Sequence, residues 1–169
     1  MTYKRKLIVY FLIAFCLYVI VDIGIQLNRE KRFKTDSLRS NLHAYTEVVE
    51  NYLASTKDTA SVIKLLPENL RVSLINREGV LTYDNAFDIS KAENHGNRPE
   101  VLAAKLRNSG SATRSSESTK IDYLYYARML DDGSVIRTSL PYTIKLDDFL
   151  HRDSIILYII ILMFVTTLF

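Results

Sequence analysis

The chain has 169 residues, 48% of them hydrophobic and 24% charged, which is enough for one ordinary domain plus membrane anchors. Its single cysteine, Cys16, excludes an intrachain disulfide, and one thiol with three scattered histidines argues against a structural zinc site, so no metal or cofactor is expected. Residues 28–153, between two apolar ends, hold 19 Lys/Arg and 18 Asp/Glu, a near-neutral balance. That balance argues against nucleic acid, which needs a clustered basic face, and against an acidic surface bridged to lipid by divalent cations.

Lys4, Arg5 and Lys6 precede Leu7–Val21, 15 residues without a charge. Crossing a bilayer takes about 20 residues, and Leu7–Leu27 supplies that length with Asp22 and Gln26 near the headgroups. A cleaved signal peptide is the rival reading, but the run is long for one and Asp22–Gln26 offers no small-residue cleavage site. An uncleaved first transmembrane helix over residues 7–27 is expected, with residues 1–6 as its near flank. Arg29, Lys31, Arg32 and Lys34 nearly balance the basic residues on the other side, so charge alone leaves orientation open.

Residues 28–56 contain neither Gly nor Pro and predict a long helix running out of the membrane. Leu38, Leu42, Tyr45, Val49 and Tyr52 recur at heptad-like spacing. Two uses suit this stripe: a seam between two parallel copies, or packing on the chain's own domain. Val48 and Leu53 occupy an adjacent face available to a sheet.

A short helix or turn over Ser61–Leu66 ends at Pro67. Arg71–Ile75 and Val80–Tyr83 read as strands joined by Asn76-Arg77-Glu78-Gly79. Asp84–Asn97 reads as an irregular loop. Pro99 opens a helix through about Asn108, with Gly110 just past its end. Ser111–Ser115, Ile121–Leu130 and Ser134–Leu140 predict three more strands, the last two joined at Asp131-Asp132-Gly133. Pro141 ends the last strand, and Ile144–Arg152 leads helically into the uncharged run Ile155–Phe169. That run is expected to be a second transmembrane helix, covering residues 154–169, whose remainder lies beyond the chain. The fold class is therefore α+β: a PAS-like (PDC/Cache-like) antiparallel five-stranded sheet with its helices on one face, a long N-terminal helix, and a membrane span on either side of residues 28–153.

Several segments resemble known input domains. Leu66–Asn76 with Glu78–Asp84, then Glu93-Asn94-His95-Gly96-Asn97-Arg98-Pro99-Glu100-Val101, then Tyr123–Ala127 and Val135–Pro141, are similar in kind and order to the sensor regions of bacterial two-component histidine kinases of the phosphate-regulon type and their Bacteroidetes-like relatives. The resemblance covers about Pro67 to Tyr142. It implies an extracytoplasmic domain held in the inner membrane, an N-terminus inside the cell, and a kinase located after the second span.

No catalytic residue is expected in the chain itself. A phosphoacceptor box has Pro five residues after its His, whereas His43, His95 and His151 have Val48, Glu100 and Ile156 there. The five glycines are isolated, so no phosphate-cradling loop exists, and no G-x-S-x-G elbow is present. For ligand binding the candidates are Tyr83, His95, Arg98 and Tyr125. His95 and Arg98 suit an anion, although with Asn94 they also suit capping of the Pro99 helix. Tyr126 shares the tyrosines' choice between lining a pocket and plain packing. Arg128 and Arg137 are expected on a solvated face. Expected partners are a second copy of the chain, membrane lipid, and an unidentified small molecule or envelope signal. The alternatives are a bitopic structural or assembly protein of the envelope, and a sensor feeding a chemoreceptor or cyclase.

Overall fold

The computed structural model describes residues 3–56, 61, 64, 66–91, 93–116 and 121–142. Helix α1 (Tyr3–Thr56) is one continuous rod of 54 residues, about 80 Å long at 1.5 Å per residue. Its N-terminal part is apolar enough to cross a membrane and buries none of that window in the protein. Tyr10, Phe11, Leu17 and Ile20 all stand exposed there. The second apolar run and half of Ser61–Leu66 lie outside the described residues.

The sheet comprises β1 (Arg71–Ile75), β2 (Leu81–Asp84), β3 (Ser109–Ser115), β4 (Asp122–Met129) and β5 (Val135–Pro141). It runs β2-β1-β5-β4-β3, with every pairing antiparallel. Strand β5 is the hub: Ile136 lies opposite Leu74 on one side and Arg128 on the other. Helix α2 (Pro99–Arg107) precedes β3, with Pro99 in its first turn and Asn108, at φ 64°, as its left-handed C-cap.

The helices take opposite faces of the sheet rather than one. On the first face α1 lays Leu42 and Val49 against Val72, Leu124, Tyr126, Ile136 and Leu140. On the second, α2 lays Val101 and Ala104 against Ile75, Leu81, Ala127 and Val135. Strand alternation, with period two, sends neighbouring residues to opposite faces, so a sheet with two apolar faces needs a cover on each. Each large aliphatic buried this way contributes roughly 1.5–3 kcal/mol.

The stripe on α1 is used within the chain. Leu42 and Val49 are fully buried, and Leu38, Tyr45 and Tyr52 pack around the same cluster. The proposed seam is thus the sheet-facing side, because its four- and three-residue spacing matches any single helix face. Leu53 joins that cluster, while Val48 is exposed. Two polar contacts punctuate this interface. Thr46 Oγ1 donates to the Leu42 carbonyl at 2.7 Å, which leaves it to accept from Thr138 Oγ1 at 2.8 Å. Nearer the apolar end, Thr35 Oγ1 lies 3.1 Å from Tyr142 Oη.

Gly110 is not the cap of α2 but a residue of β3, where it lets the helix approach. A Cβ there would stand 2.5 Å from both the Glu100 carbonyl and Ala103 Cβ. Gly110→Ala is therefore expected to push α2 off the sheet and cost about 1–3 kcal/mol, read as a lowered midpoint in urea unfolding followed by circular dichroism.

Candidate functional site

The second face changes character along its length. Near the β4–β5 turn it is apolar, but on the far side of α2 it becomes a buried cluster of charges. Arg137, on the central strand, is 1% exposed. Its Nη2 donates to Ser73 Oγ at 2.9 Å, and Ser73 Oγ donates to Asp84 Oδ2 at 2.8 Å. Arg71 Nε reaches both Asp84 oxygens, at 3.0 and 3.1 Å. On the other flank, Glu100 is fully buried on α2. Its Oε1 accepts from Arg114 Nη2 at 3.3 Å and lies 3.6 Å from Arg137 Nη1. Tyr125 forms the floor: the Arg114 and Arg137 guanidinium carbons sit 4.1 and 5.2 Å from its ring centroid, within cation–π range.

Local sequence explains each position. Arg71 and Ser73, Arg137 and Ser139, and Tyr123 and Tyr125 share this face by alternation. Asp84 reaches it through a bulge. Ile75 pairs with Leu81 but Leu74 pairs with Tyr83, so Thr82 is an extra residue and the side chains after it exchange faces. That exchange brings Asp84 opposite Ser73 and sends Tyr83 opposite Leu74, on the α1 side. Tyr83 is therefore apart from the cluster. Partial burial raises its phenol pKa, and the neighbouring Asp84 adds to the rise.

His95 is held by the loop before α2. Its backbone N–H donates to the Gly79 carbonyl at 2.8 Å. Asn94 Nδ2 donates to the Glu78 carbonyl at 2.9 Å and Asn94 Oδ1 accepts from Gly96 N–H at 2.7 Å. Gly79, at φ 88°, lies against Gly96 so closely that no side chain fits, which pins this loop to the β1–β2 turn. Arg98 occupies the N-cap of α2 without a side-chain capping bond. Burial lowers the His95 pKa to about 4, helped by the charges of Arg137, Arg98, Arg114 and Arg71, so the imidazole is neutral at pH 7. Burial likewise lowers the Arg137 pKa; Glu100 opposes that shift, whereas Arg71 and Arg114 add to it.

The structure thus gathers His95, Arg98 and Tyr125 around a cluster whose main members, Arg71, Ser73, Asp84, Glu100, Arg114 and Arg137, sequence reasoning did not select. Arg137 is not solvated. Arg128, nine residues earlier, points to the α1 face and pairs with Glu47 and Glu50 at 3.3 and 3.0 Å. Tyr126 also faces α1, edge-on to His43. The signal available beforehand was parity: in β5, Arg137 interrupts an otherwise apolar and hydroxyl run, and Tyr125 shares its face from β4, opposite Ser139. A separate open cleft of about 480 Å³ beside Arg77, Arg128 and Gly133 shares no residue with the cluster. No group of three or more His, Cys, Asp or Glu suited to a metal occurs among the described residues.

No family model matches the chain, and no curated protein matches it. Among solved structures it is similar to the Bacillus subtilis YkuI protein, with an EAL domain, in complex with c-di-GMP and calcium. The TM-score is 0.51 at 16% identity, covering 76% of this chain and 37% of that one. The chain thus spans little more than a third of that protein's length, and likeness at this identity concerns the fold alone. A weaker likeness, TM-score 0.38 at 12% identity over 70% of this chain and 97% of the other, is to a Cache chemosensory domain solved for carboxylic acid recognition.

The His95 pKa carries a stability consequence. The unfolded chain takes up this proton near pH 6.5 and the folded chain only near pH 4, so stability is full above pH 6.5 and falls as pH drops toward 4. The protein is expected to lose about 2 kcal/mol between pH 7.5 and pH 5 from this residue. Urea unfolding at the two pH values checks it, with His95→Gln removing that part of the pH dependence.

Proposed function

We propose that the chain is the sensing input module of a membrane receptor, with its sheet domain outside the cell and an output unit, a histidine kinase in this reading, on the inner side. The observation that carries the reading is continuity. One rigid helix runs from the apolar segment to the sheet without a break, and it packs on β4 and β5, the strands whose opposite face holds the buried arginine site. Strand β5 delivers the chain back to Tyr142 beside Thr35, about 12 Å along α1 from Leu27 at 1.5 Å per residue. In this reading the uncharged run 155–169, which lies outside the described residues, returns the chain to the bilayer and is the domain's second membrane connection.

In this mechanism a ligand on the arginine face binds two packings of the domain unequally and so shifts their populations. Arg137 and Thr138 are adjacent on β5, one reaching the site and the other reaching Thr46 and the Leu42 carbonyl on α1. A displacement of β5 therefore acts on the helix that crosses the membrane. Two copies of the chain would meet along the outward face of α1, where Phe33 and Val48 are exposed, since the stripe from Leu38 to Tyr52 is engaged with the sheet. The resemblance of the segments around His95 and the last two strands to kinase sensor regions supports the kinase output over the assembly role.

Topology tests the reading. With Cys16 replaced by Ser, Thr82→Cys is expected to react with a membrane-impermeant maleimide in spheroplasts, and Lys4→Cys only after lysis. Labelling of position 4 but not 82 in sealed cells would overturn it, and Ala44→Cys in the same series reports pairing along the outward face by disulfide cross-linking.

A further inference from the structure

The two edges of the sheet are guarded differently. Strand β2 is four residues long and its pairing is bulged, two ways in which native sheets blunt an edge. Strand β3 is seven residues long, pairs with β4 in unbroken register, and contains neither Pro nor Lys. Met129 N–H donates to the Asn108 carbonyl, and Ser116 N–H to the Ile121 carbonyl. In an antiparallel ladder every second residue exchanges its bonds with the same neighbour. The even-numbered residues therefore face β4, while Ser111, Thr113 and Ser115 turn their N–H and C=O groups outward. Among the described residues nothing hydrogen-bonds to those groups. Ser111 is half-buried, and Thr113 and Ser115 are exposed.

Helix α2 overhangs this edge. It lies mainly on β3, with Ala103 and the Glu100 carbonyl against Gly110, while Val101 and Ala104 point inward. Leu106 stands one turn beyond Ala103 on the same side and is 82% exposed; Leu102 beside it is 45% exposed. The one acidic residue of α2 and β3, Glu100, is fully buried, whereas Arg107 is exposed and Arg114 partly so. An open main-chain ladder, an apolar ledge above it and a basic rim thus meet in one place.

We infer that the β3 edge takes an extended segment of another protein as a sixth strand, with apolar side chains at alternate positions beneath Leu102 and Leu106 and acidic residues at its ends. Outward N–H and C=O groups repeated at every second residue are matched by another extended backbone, and a side-chain ledge on one face then selects the alternate residues. A second copy of the chain does not fit. Strand β5 runs nearly along α1, since Thr138 meets Leu42 and Thr46 while Tyr142 meets Thr35. Two copies anchored through α1 in one membrane, the reading proposed above, are related by an axis along that direction. Their β3 strands would be parallel, with the outward groups of identical residues at one level. A parallel ladder has evenly spaced, slanted bonds, which need those groups staggered by one residue.

The test uses the full chain in nanodiscs and a fluorescent peptide that alternates Thr and Val between terminal Asp residues, read by anisotropy. Saturable binding is expected. Methylating the amides of all Thr or of all Val residues is expected to abolish it in one series and spare it in the other, since only alternate amides of an added strand face β3. Ser111→Pro removes an outward N–H and no bond to β4, a change that edge strands tolerate. It is expected to weaken binding about ten-fold or more, and so is Leu106→Asp on the exposed ledge. Val48→Ser on α1 is expected to leave binding within about two-fold. A peptide with terminal Lys in place of Asp is expected to bind more weakly. The inference is overturned by the absence of saturable binding, by equal tolerance of both methylated series, by unchanged binding in Leu106→Asp, or by equal binding of the Lys peptide. Conversion of a dimer to a monomer by Ser111→Pro, read by analytical ultracentrifugation, would give the edge to a second copy and overturn it as well. Any of these with the expected labelling at Thr82 sinks the edge site alone. Inverted labelling with intact peptide binding sinks the sensing topology and leaves the edge site standing.

Discussion

A guanidinium that is 1% exposed at the middle of a five-stranded sheet dictates much of what surrounds it. Arg137 cannot be deprotonated at ordinary pH, so its charge must be met in place. Ser73 and Asp84 meet it from β1 and β2, Glu100 from α2, and the ring of Tyr125 from β4. The bulge at Thr82, which turns Asp84 inward, and the glycine at 110, which lets α2 and its Glu100 come close, are backbone devices that bring those partners within reach.

The same strand binds the other half of the molecule. Ile136, Thr138 and Leu140 face α1 while Arg137 and Ser139 face away, so one strand carries the wall between a polar site and an apolar helix interface. Protein interiors are close-packed and poorly compressible, and a shift of β5 by even a fraction of an ångström is felt on both sides. The Thr46–Thr138 pair is a polar contact in an otherwise apolar interface. A hydrogen bond has a narrow range of good geometry, so it responds more sharply to a strand displacement than aliphatic contact does.

Much of the fold was legible in the residues. Gly and Pro placed the turns, β-rich runs placed β1, β4 and β5 within a residue or two, and Pro99 opened α2. What was not legible had specific causes. The face of α1 used against the sheet has the same spacing as a dimer seam, so periodicity alone leaves both uses open. The two-sided arrangement of the helices depends on contacts distant in sequence. At the site, His95, Arg98 and Tyr125 stood out because they lie in a recognisable segment or an aromatic run. Arg71, Arg114, Glu100 and Arg137 sit on four separate elements and look like surface charges until strand pairing assembles them. Tyr83 was misplaced by a one-residue bulge, which reverses parity and leaves no mark in composition.

The central claim is that the arginine face and the helix interface are coupled through β5. A double-mutant cycle measures this most directly, using urea unfolding of the wild-type chain, Arg137→Lys, Thr46→Val and the double variant. Thr46 makes its contact with Thr138 rather than with the arginine, so any coupling between the two substitutions has to pass through the strand. The account predicts an interaction free energy above about 0.5 kcal/mol, and effects that add to within about 0.3 kcal/mol would contradict it.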